Sequence, residues 1–241
     1  MNGSGPYGHD YFAPRRRNLY GKLFGSKGYV PAKLRRELPR SAAILDVGCG
    51  TGQFLEDISD FPNRRGCDVS DEALKLTAQR NPGIALERTD PEGALPFPDV
   101  QFDCITLFDV IEHVTEDRAL LQKISARLKP GGILVLSTPN PRSVGRRIKG
   151  LRWFAYRDET HCNIQELPYF EKLLDACGFD VEDVRYDGLW DAPYFLPTPW
   201  PERILLQLPG VLLFRYGAIR FRALGENVWL WAKKRAIPLS I

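Results

Sequence analysis

Ile44-Leu45-Asp46-Val47-Gly48-Cys49-Gly50-Thr51-Gly52 decides the fold of this chain. An apolar run from Ala43 to Val47 passes into alternating glycines, which reads as a buried strand, a tight turn and a helix beginning near Gln53. Glycines at such a turn let the backbone bend sharply and let a ligand lie against main-chain N–H groups at a helix start. Twenty residues after Gly48 stands Asp68, at the end of the next apolar run. An acid there can accept both hydroxyls of a ribose, as in nucleotide-binding α/β folds, and Asp90 ends the run after that. The spacing is Gly-x-Gly-x-Gly, not the Gly-x-Gly-x-x-Gly that seats a pyrophosphate.

The same alternation extends to both sides. A helix over Val30 to Leu38 precedes the glycine turn, with Pro31 tolerated in its first turn. Strands follow at Arg65 to Val69, Ile84 to Arg88, Phe102 to Phe108 and Ile133 to Ser137. Between them the pattern predicts helices over Asp71 to Arg80, capped by Ser70, and over Glu116 to Leu128, stopped by Lys129-Pro130-Gly131-Gly132. A helix from Gln165 to Cys177, a strand from Phe179 to Tyr186 and a last strand from Asn227 to Lys233 complete the series. This predicts an α/β fold, a doubly wound, mostly parallel seven-stranded sheet with the last strand antiparallel. Residues 1–28 read as an N-terminal arm or lid, and 29–241 as one domain. Two segments, 140–164 and 188–225, should form a cap over the acceptor side, the second inserted before the last strand.

Composition narrows the function. The chain has 241 residues, 44% hydrophobic and 26% charged, which excludes wholesale disorder. A formal net charge of +3 is too weak to imply a nucleic-acid partner, and none is expected. The five cysteines form no C-x-x-C pair, so neither a disulfide framework nor a zinc ribbon is expected, and no metal site. The start of the chain shows no apolar signal region, and no apolar run reaches the ~18 residues of a membrane span. A cytoplasmic protein is expected, with peripheral contact at the inner face of the membrane as a further expectation.

At these residues the chain resembles the class I S-adenosylmethionine-dependent methyltransferases, especially the small-molecule group that includes ubiquinone-biosynthesis enzymes. The resemblance runs through Ile44 to Gly52, Gly66-Cys67-Asp68-Val69-Ser70, Leu95-Pro96-Phe97-Pro98-Asp99 with Phe102-Asp103, Asp109-Val110-Ile111-Glu112-His113-Val114, Leu128-Lys129-Pro130-Gly131-Gly132 and Cys177-Gly178-Phe179. It implies a Rossmann-like fold and S-adenosyl-L-methionine as cofactor. It implies that Gly48, Cys49, Gly50 and Gly52 hold the methionine part, with Asp46 orienting the loop. Asp68 would bind the ribose hydroxyls, Val69 would pack on the adenine and Asp90 would bond its amino group, although Asp90 stands one residue farther from Leu95 than the family spacing. Phe108 would border the methionine part and the acceptor cavity. The arm His9-Asp10-Tyr11-Phe12-Ala13-Pro14-Arg15-Arg16-Arg17 is similar to the aromatic-basic lids of some relatives, or is a solvated basic arm.

A sulfonium methyl is already activated, so the enzyme needs mainly to place a nucleophile in line and exclude water. A base helps when the nucleophile is a hydroxyl, and His113 and His161 are the candidate catalytic residues, or else hydrogen-bonded loop anchors. Val144, Ile148 and Leu151 recur at helical spacing beneath Arg142, Arg146, Arg147, Lys149 and Arg152, in a helix that Gly145 and Gly150 make marginal, with Trp153, Phe154 and Tyr156 following. Basic residues beside apolar and aromatic ones suit a lipid-linked acceptor or an anionic membrane surface, and equally a plain cap or dimer face. The expected activity is methyl transfer to a small-molecule or lipid- or glycan-linked acceptor at oxygen. An NAD(P)-dependent oxidoreductase and a non-catalytic S-adenosylmethionine-binding partner subunit are the alternatives.

Overall fold

Every residue of β1 (Ile44–Val47) is buried, Asp46 included, because the strand runs between parallel neighbours on both sides. Those neighbours are β2 (Arg64–Asp68) and β4 (Phe102–Phe108). The computed structural model describes residues 29–90, 95–187, 223 and 225–236, so the expected arm over 1–28 and nearly all of the 188–225 segment lie outside the described residues. The sheet has seven strands in the order β3-β2-β1-β4-β5-β7-β6. Here β3 is Ala85–Arg88, β5 Leu128–Pro139, β6 Phe179–Tyr186 and β7 Asn227–Lys234. The strands β3, β2, β1, β4 and β5 run parallel, and β7 inserts antiparallel between β5 and β6. Central strands buried on both faces need helices above and below, which the α/β alternation supplies.

The helices in chain order are α1 (Val30–Glu37), α2 (Gln53–Asp57), α3 (Asp71–Arg80), α4 (Asp117–Arg127), α5 (Val144–Lys149) and α6 (Leu167–Ala176). α3 begins as its sequence predicts, with the Ser70 side chain accepting the N–H of Ala73. α1 is tied to the far edge of the sheet by a buried lysine. Lys33 donates to Asp183 Oδ2 at 3.1 Å and lies 4.3 Å from the centroid of the Trp231 ring. A charge removed from water is tolerated only with such partners.

Two expectations need correction. Lys129-Pro130-Gly131-Gly132 does not separate α4 from the following strand, because β5 starts at Leu128 and runs through these residues. Its pairing with β4 shifts between Phe102 and Cys104, and Gly131 takes φ +74, so the turn residues are absorbed as an irregularity within the strand. A side chain at Gly132 would meet the Lys129 carbonyl oxygen at 2.9 Å, which explains the second glycine. The apolar stripe Val144–Ile148–Leu151 does not lie beneath its basic neighbours. α5 ends at Lys149, and Gly150 at φ +54 turns the chain so that Ile148 is 36% and Leu151 86% exposed. Trp153, not Leu151, is the buried anchor of this segment.

Candidate active site

The loop after β1 is held from two sides. The N–H groups of Gly48 and Cys49 both donate to the Cys67 carbonyl oxygen, at 2.8 and 2.9 Å. The Gly52 N–H donates to the Cys49 carbonyl at 2.9 Å, and the Gly50 N–H to Asp68 Oδ2 at 2.9 Å. From α3, Thr77 Oγ1 donates to the Gly50 carbonyl at 2.9 Å and Asn81 Nδ2 to the Gly52 carbonyl at 3.0 Å. Gly48, Gly50 and Gly52 all have positive φ, a region costly for residues with a Cβ.

This corrects the expectation that the loop presents main-chain N–H groups to a ligand. Four of its amides are committed within the protein, whereas a phosphate cradle needs them pointing outward. The loop is therefore not built for a pyrophosphate.

The fit to S-adenosylmethionine rests on two observations. A Cβ built on Gly50 meets none of the described residues within 4 Å, so among them open space lies directly over the loop. Beside it, Asp68 is 6% exposed and its second oxygen accepts the Ser70 N–H at 2.9 Å, which fixes the carboxylate at the end of β2. Asp68 would hold the ribose hydroxyls, as the sequence implies, and half-buried Val69 follows it at the strand end. Asp90 is exposed just past β3, whose end is joined to β2 by the Thr89 N–H donating to the Asp68 carbonyl at 3.0 Å. Asp46 lies beneath the loop, accepting from Thr106 Oγ1 at 2.7 Å. Burial, followed by the negative charges of Asp46 and Asp68, pushes the Cys49 thiol far up, so it is an uncharged wall and not a nucleophile.

At the end of β4, Phe108 is buried against Phe54 and Trp229, with ring centroids 4.9 and 5.2 Å away. Asp109 then takes a positive φ of +54, held there by Ser137, whose Oγ donates to Asp109 Oδ1 at 2.8 Å. A non-glycine residue in this conformation stores strain, which concentrates where a strand end must aim side chains at a site. Val110 presses its Cγ2 to 2.4 Å from where a Cβ of Gly48 would stand, so the β1 and β4 loops touch.

His113 ends the short 3-10 turn Ile111–His113, and His161 lies in the loop that follows α5. The structure brings them together, with ring centroids 4.5 Å apart and ring planes at 67°. The link is main-chain: the N–H groups of Cys162 and Asn163 both donate to the Glu112 carbonyl at 2.9 Å. Asn163 Nδ2 then bonds Asp117 at 2.9 Å and the Val114 carbonyl at 3.2 Å.

Ring tautomers follow from the partners. His161 Nδ1 faces the Ala155 carbonyl at 2.7 Å, which can only accept. Thr160 Oγ1 donates to Asp158, so at 2.8 Å from His113 Nδ1 it accepts. The Nδ1 of each ring therefore carries a proton, and His161 Nε2 faces Asp158 Oδ2 at 3.8 Å. Burial, then the adjacent His161 ring, holds His113 below the ordinary histidine value, so it is neutral near pH 7.

Thr77, Asn81 and Thr106 support the loop without having stood out in the sequence. The signal for the first two is their i, i+4 spacing, which puts Thr77 on the buried face of α3 with Ala73 and Asn81 one turn on, at the cap of its C-terminus.

A family model described as a methyltransferase domain matches residues 23–184. A ubiquinone biosynthesis O-methyltransferase of Psychrobacter cryohalolentis is 30% identical over 179 residues, covering 67% of this chain and 67% of that protein. A ubiquinone/menaquinone biosynthesis C-methyltransferase of Salmonella arizonae is 36% identical over 112 residues, covering 42% of this chain and 45% of that protein. The chain thus spans between about half and two thirds of the length of such curated relatives. Among solved structures, a methyltransferase from Archaeoglobus fulgidus superposes with a TM-score of 0.58 at 22% identity, covering 90% of this chain and 98% of that one, which bears on the fold alone.

Proposed function

The chain belongs to the S-adenosylmethionine-dependent methyltransferases, and from that premise we propose that it moves a methyl group to an oxygen of a small-molecule or lipid-linked acceptor. When bound, the cofactor supplies a methyl group on a positively charged sulfur. Asp68 binds the ribose hydroxyls, Asp90 and Val69 the adenine side, and the loop Gly48–Gly52 bounds the methionine part, with Asp46 and Phe108 fixing the loop and its far wall.

The observation that carries the oxygen reading is the packing of His161 against His113 on the turn after β4, each ring with its Nδ1 proton engaged. A neutral imidazole next to a hydroxyl nucleophile can hold the proton that leaves it. His113, kept neutral by burial and the adjacent His161 ring, suits that role, with Thr160 holding its Nδ1 and His161 packed against it as the second candidate. The O-methyltransferase name of the Psychrobacter relative supports oxygen, while the C-methyltransferase name of the Salmonella relative favours carbon. Product analysis over a panel of phenolic, quinol and polyprenyl-linked acceptors tests the choice. Methyl transfer to hydroxyls, reduced at least about 100-fold in His113→Ala, is the expected result. Methylation at carbon with His113→Ala fully active contradicts it.

The acceptor side takes in 140–164, with 1–28 as lid and 188–225 as cap. Exposed Ile148 and Leu151 beside Arg146, Arg147, Lys149 and Arg152 suit peripheral contact with an anionic membrane from the cytoplasmic side. No helix among the described residues is long and apolar enough to cross a membrane. Co-sedimentation with phosphatidylglycerol vesicles at low salt is expected, and its loss in Leu151→Asp; binding equal to that of neutral vesicles contradicts the contact.

A further inference from the structure

Asp117 opens the first turn of α4 and is only 5% exposed, a carboxylate taken out of water. Such a group is tolerated where donors meet it, and two do so from distant parts of the chain. Asn163 Nδ2 donates to Asp117 Oδ2 at 2.9 Å, and the Tyr169 hydroxyl donates to the same oxygen at 2.7 Å. Asn163 precedes α6 and Tyr169 lies in its first turn. We propose that Asp117 is the positioning residue of the histidine pair: through Asn163 it holds the loop of His161 against the turn of His113, and through Tyr169 it ties that joint to α6.

The joint is Asn163. Its main-chain N–H and that of Cys162 both donate to the Glu112 carbonyl at 2.9 Å. Its side-chain nitrogen faces three acceptors, Asp117 at 2.9 Å and the Val114 and Ile111 carbonyls at 3.2 and 3.4 Å. Three acceptors around one end of a carboxamide require the NH₂ group there, so the carboxylate fixes which way the amide is turned. Ile111, Glu112 and Val114 bracket His113, and His161 stands two residues before Asn163. Gripping the turn on both sides of one ring and carrying the other nearby, Asn163 governs the 4.5 Å separation of the ring centroids.

An apolar side chain in place of Asp117 would avoid the penalty of burying a charge. It would also leave the Asn163 NH₂ one acceptor short, at a residue only 8% exposed and so with little water to replace the bond. The acid thus fixes one arrangement of the loop where an apolar residue would permit several.

The His113 ring reports on this arrangement. The titratable groups facing it are His161 and Asp158 from the loop, and Asp109 and Glu112 from its own turn. Burial, then His161, holds His113 low, while Asp158, the Thr160 carbonyl and Asp109 act in the other direction. Releasing the loop removes burial and His161 together, the two largest influences, so His113 should titrate higher, toward the ordinary value near about 6.5. The joint itself is independent of methyl transfer; its effect on turnover rests on the reading of the histidine pair as the base.

The test uses the full-length chain, whose histidines are His9, His113 and His161. Ring protons are followed by NMR from pH 5 to pH 8, beside calorimetry with S-adenosylmethionine and turnover with catechol as the hydroxyl acceptor. The parent should show a nuclear Overhauser contact between the His113 and His161 rings. Asp117→Ala should lose that contact, raise the His113 titration and lower kcat about 10- to 100-fold, with S-adenosylmethionine affinity unchanged. Asp117→Asn, whose amide oxygen still accepts from Asn163 and Tyr169, should recover most of both. Tyr169→Phe removes one hydroxyl from a 40% exposed residue and should act in the same direction more weakly, which keeps the test open if Asp117→Ala does not fold. Ring contact and titration unchanged in Asp117→Ala and Tyr169→Phe overturn the proposal, whatever the activity of His113→Ala. Loss of the contact with turnover intact in Asp117→Ala and His113→Ala upholds the joint and contradicts the base reading instead.

Discussion

The carboxylate of Asp68 accepts the main-chain N–H of Gly50 at 2.9 Å, joining the end of β2 to the glycine loop of β1. One side chain thus shapes the loop and presents the oxygens that a ribose would bond. Its other oxygen is fixed by Ser70, the cap of α3, so the strand end, the loop and the helix start form one unit. Hydrogen bonds to a charged group contribute roughly 1.5–3 kcal/mol each. Asp68→Asn should therefore weaken S-adenosylmethionine binding about 10- to 100-fold by calorimetry; an unchanged affinity would remove Asp68 from the cofactor site.

Gly48 and Gly50 separate fold from function. Gly48→Ala places a methyl 2.4 Å from Val110 at φ +72, and should cost about 1–3 kcal/mol in urea unfolding, partly recovered by Val110→Ala. Gly50→Ala meets none of the described residues within 4 Å and should cost mainly the left-handed backbone, roughly 1–2 kcal/mol. Its methyl enters the space assigned to the cofactor, so its loss of cofactor affinity should exceed its loss of stability. Equal losses in both variants would argue against that placement.

Thr77 and Asn81 hold the Gly50 and Gly52 carbonyls from α3. Thr77→Val keeps the shape and removes the bond, leaving a partly buried carbonyl one donor short. A loss of about 1–3 kcal/mol in stability is expected, with a weaker cofactor complex, measured by denaturant unfolding with and without ligand. A variant that unfolds and binds as the parent does would leave the loop supported by β2 alone.

Acid should loosen α1 from the sheet. Burial by itself would raise the Asp183 carboxyl, but hydrogen bonds from Arg185 and Lys33 outweigh it and hold the group below the ordinary aspartate value. A carboxyl with a depressed folded-state value contributes stability that is present above its ordinary value, near about 4, and is lost as the pH falls through the folded value. Thermal unfolding followed from pH 7 to pH 3 should show a shallower decline in Asp183→Asn than in the parent. Parallel curves would exclude this carboxyl from the acid transition.

How far the sequence discloses such features depends on how local they are. β4 and β6 match their expected bounds, and α3 starts at its Ser70 cap, because alternation and caps are written within a few residues. β5 begins five residues earlier than expected because Pro130-Gly131-Gly132 reads as a stop in any isolated segment, and only pairing with β4 turns it into a strand irregularity. The stripe Val144–Ile148–Leu151 has helical spacing, yet Gly150 breaks the helix and leaves Leu151 in solvent. His113 and His161 are visible as residues, but not as a pair, since their contact depends on bonds between Glu112 and the Cys162–Asn163 backbone. The committed loop amides are likewise invisible to a motif, which records glycines and not the direction of their N–H groups.

The most direct test of the account is calorimetric titration of the purified chain with S-adenosylmethionine, S-adenosylhomocysteine and NAD in parallel. Single-site binding of the first two, weakened in Asp68→Asn, with no heat from NAD, is the predicted result. Binding of NAD without binding of either sulfur nucleoside would contradict it.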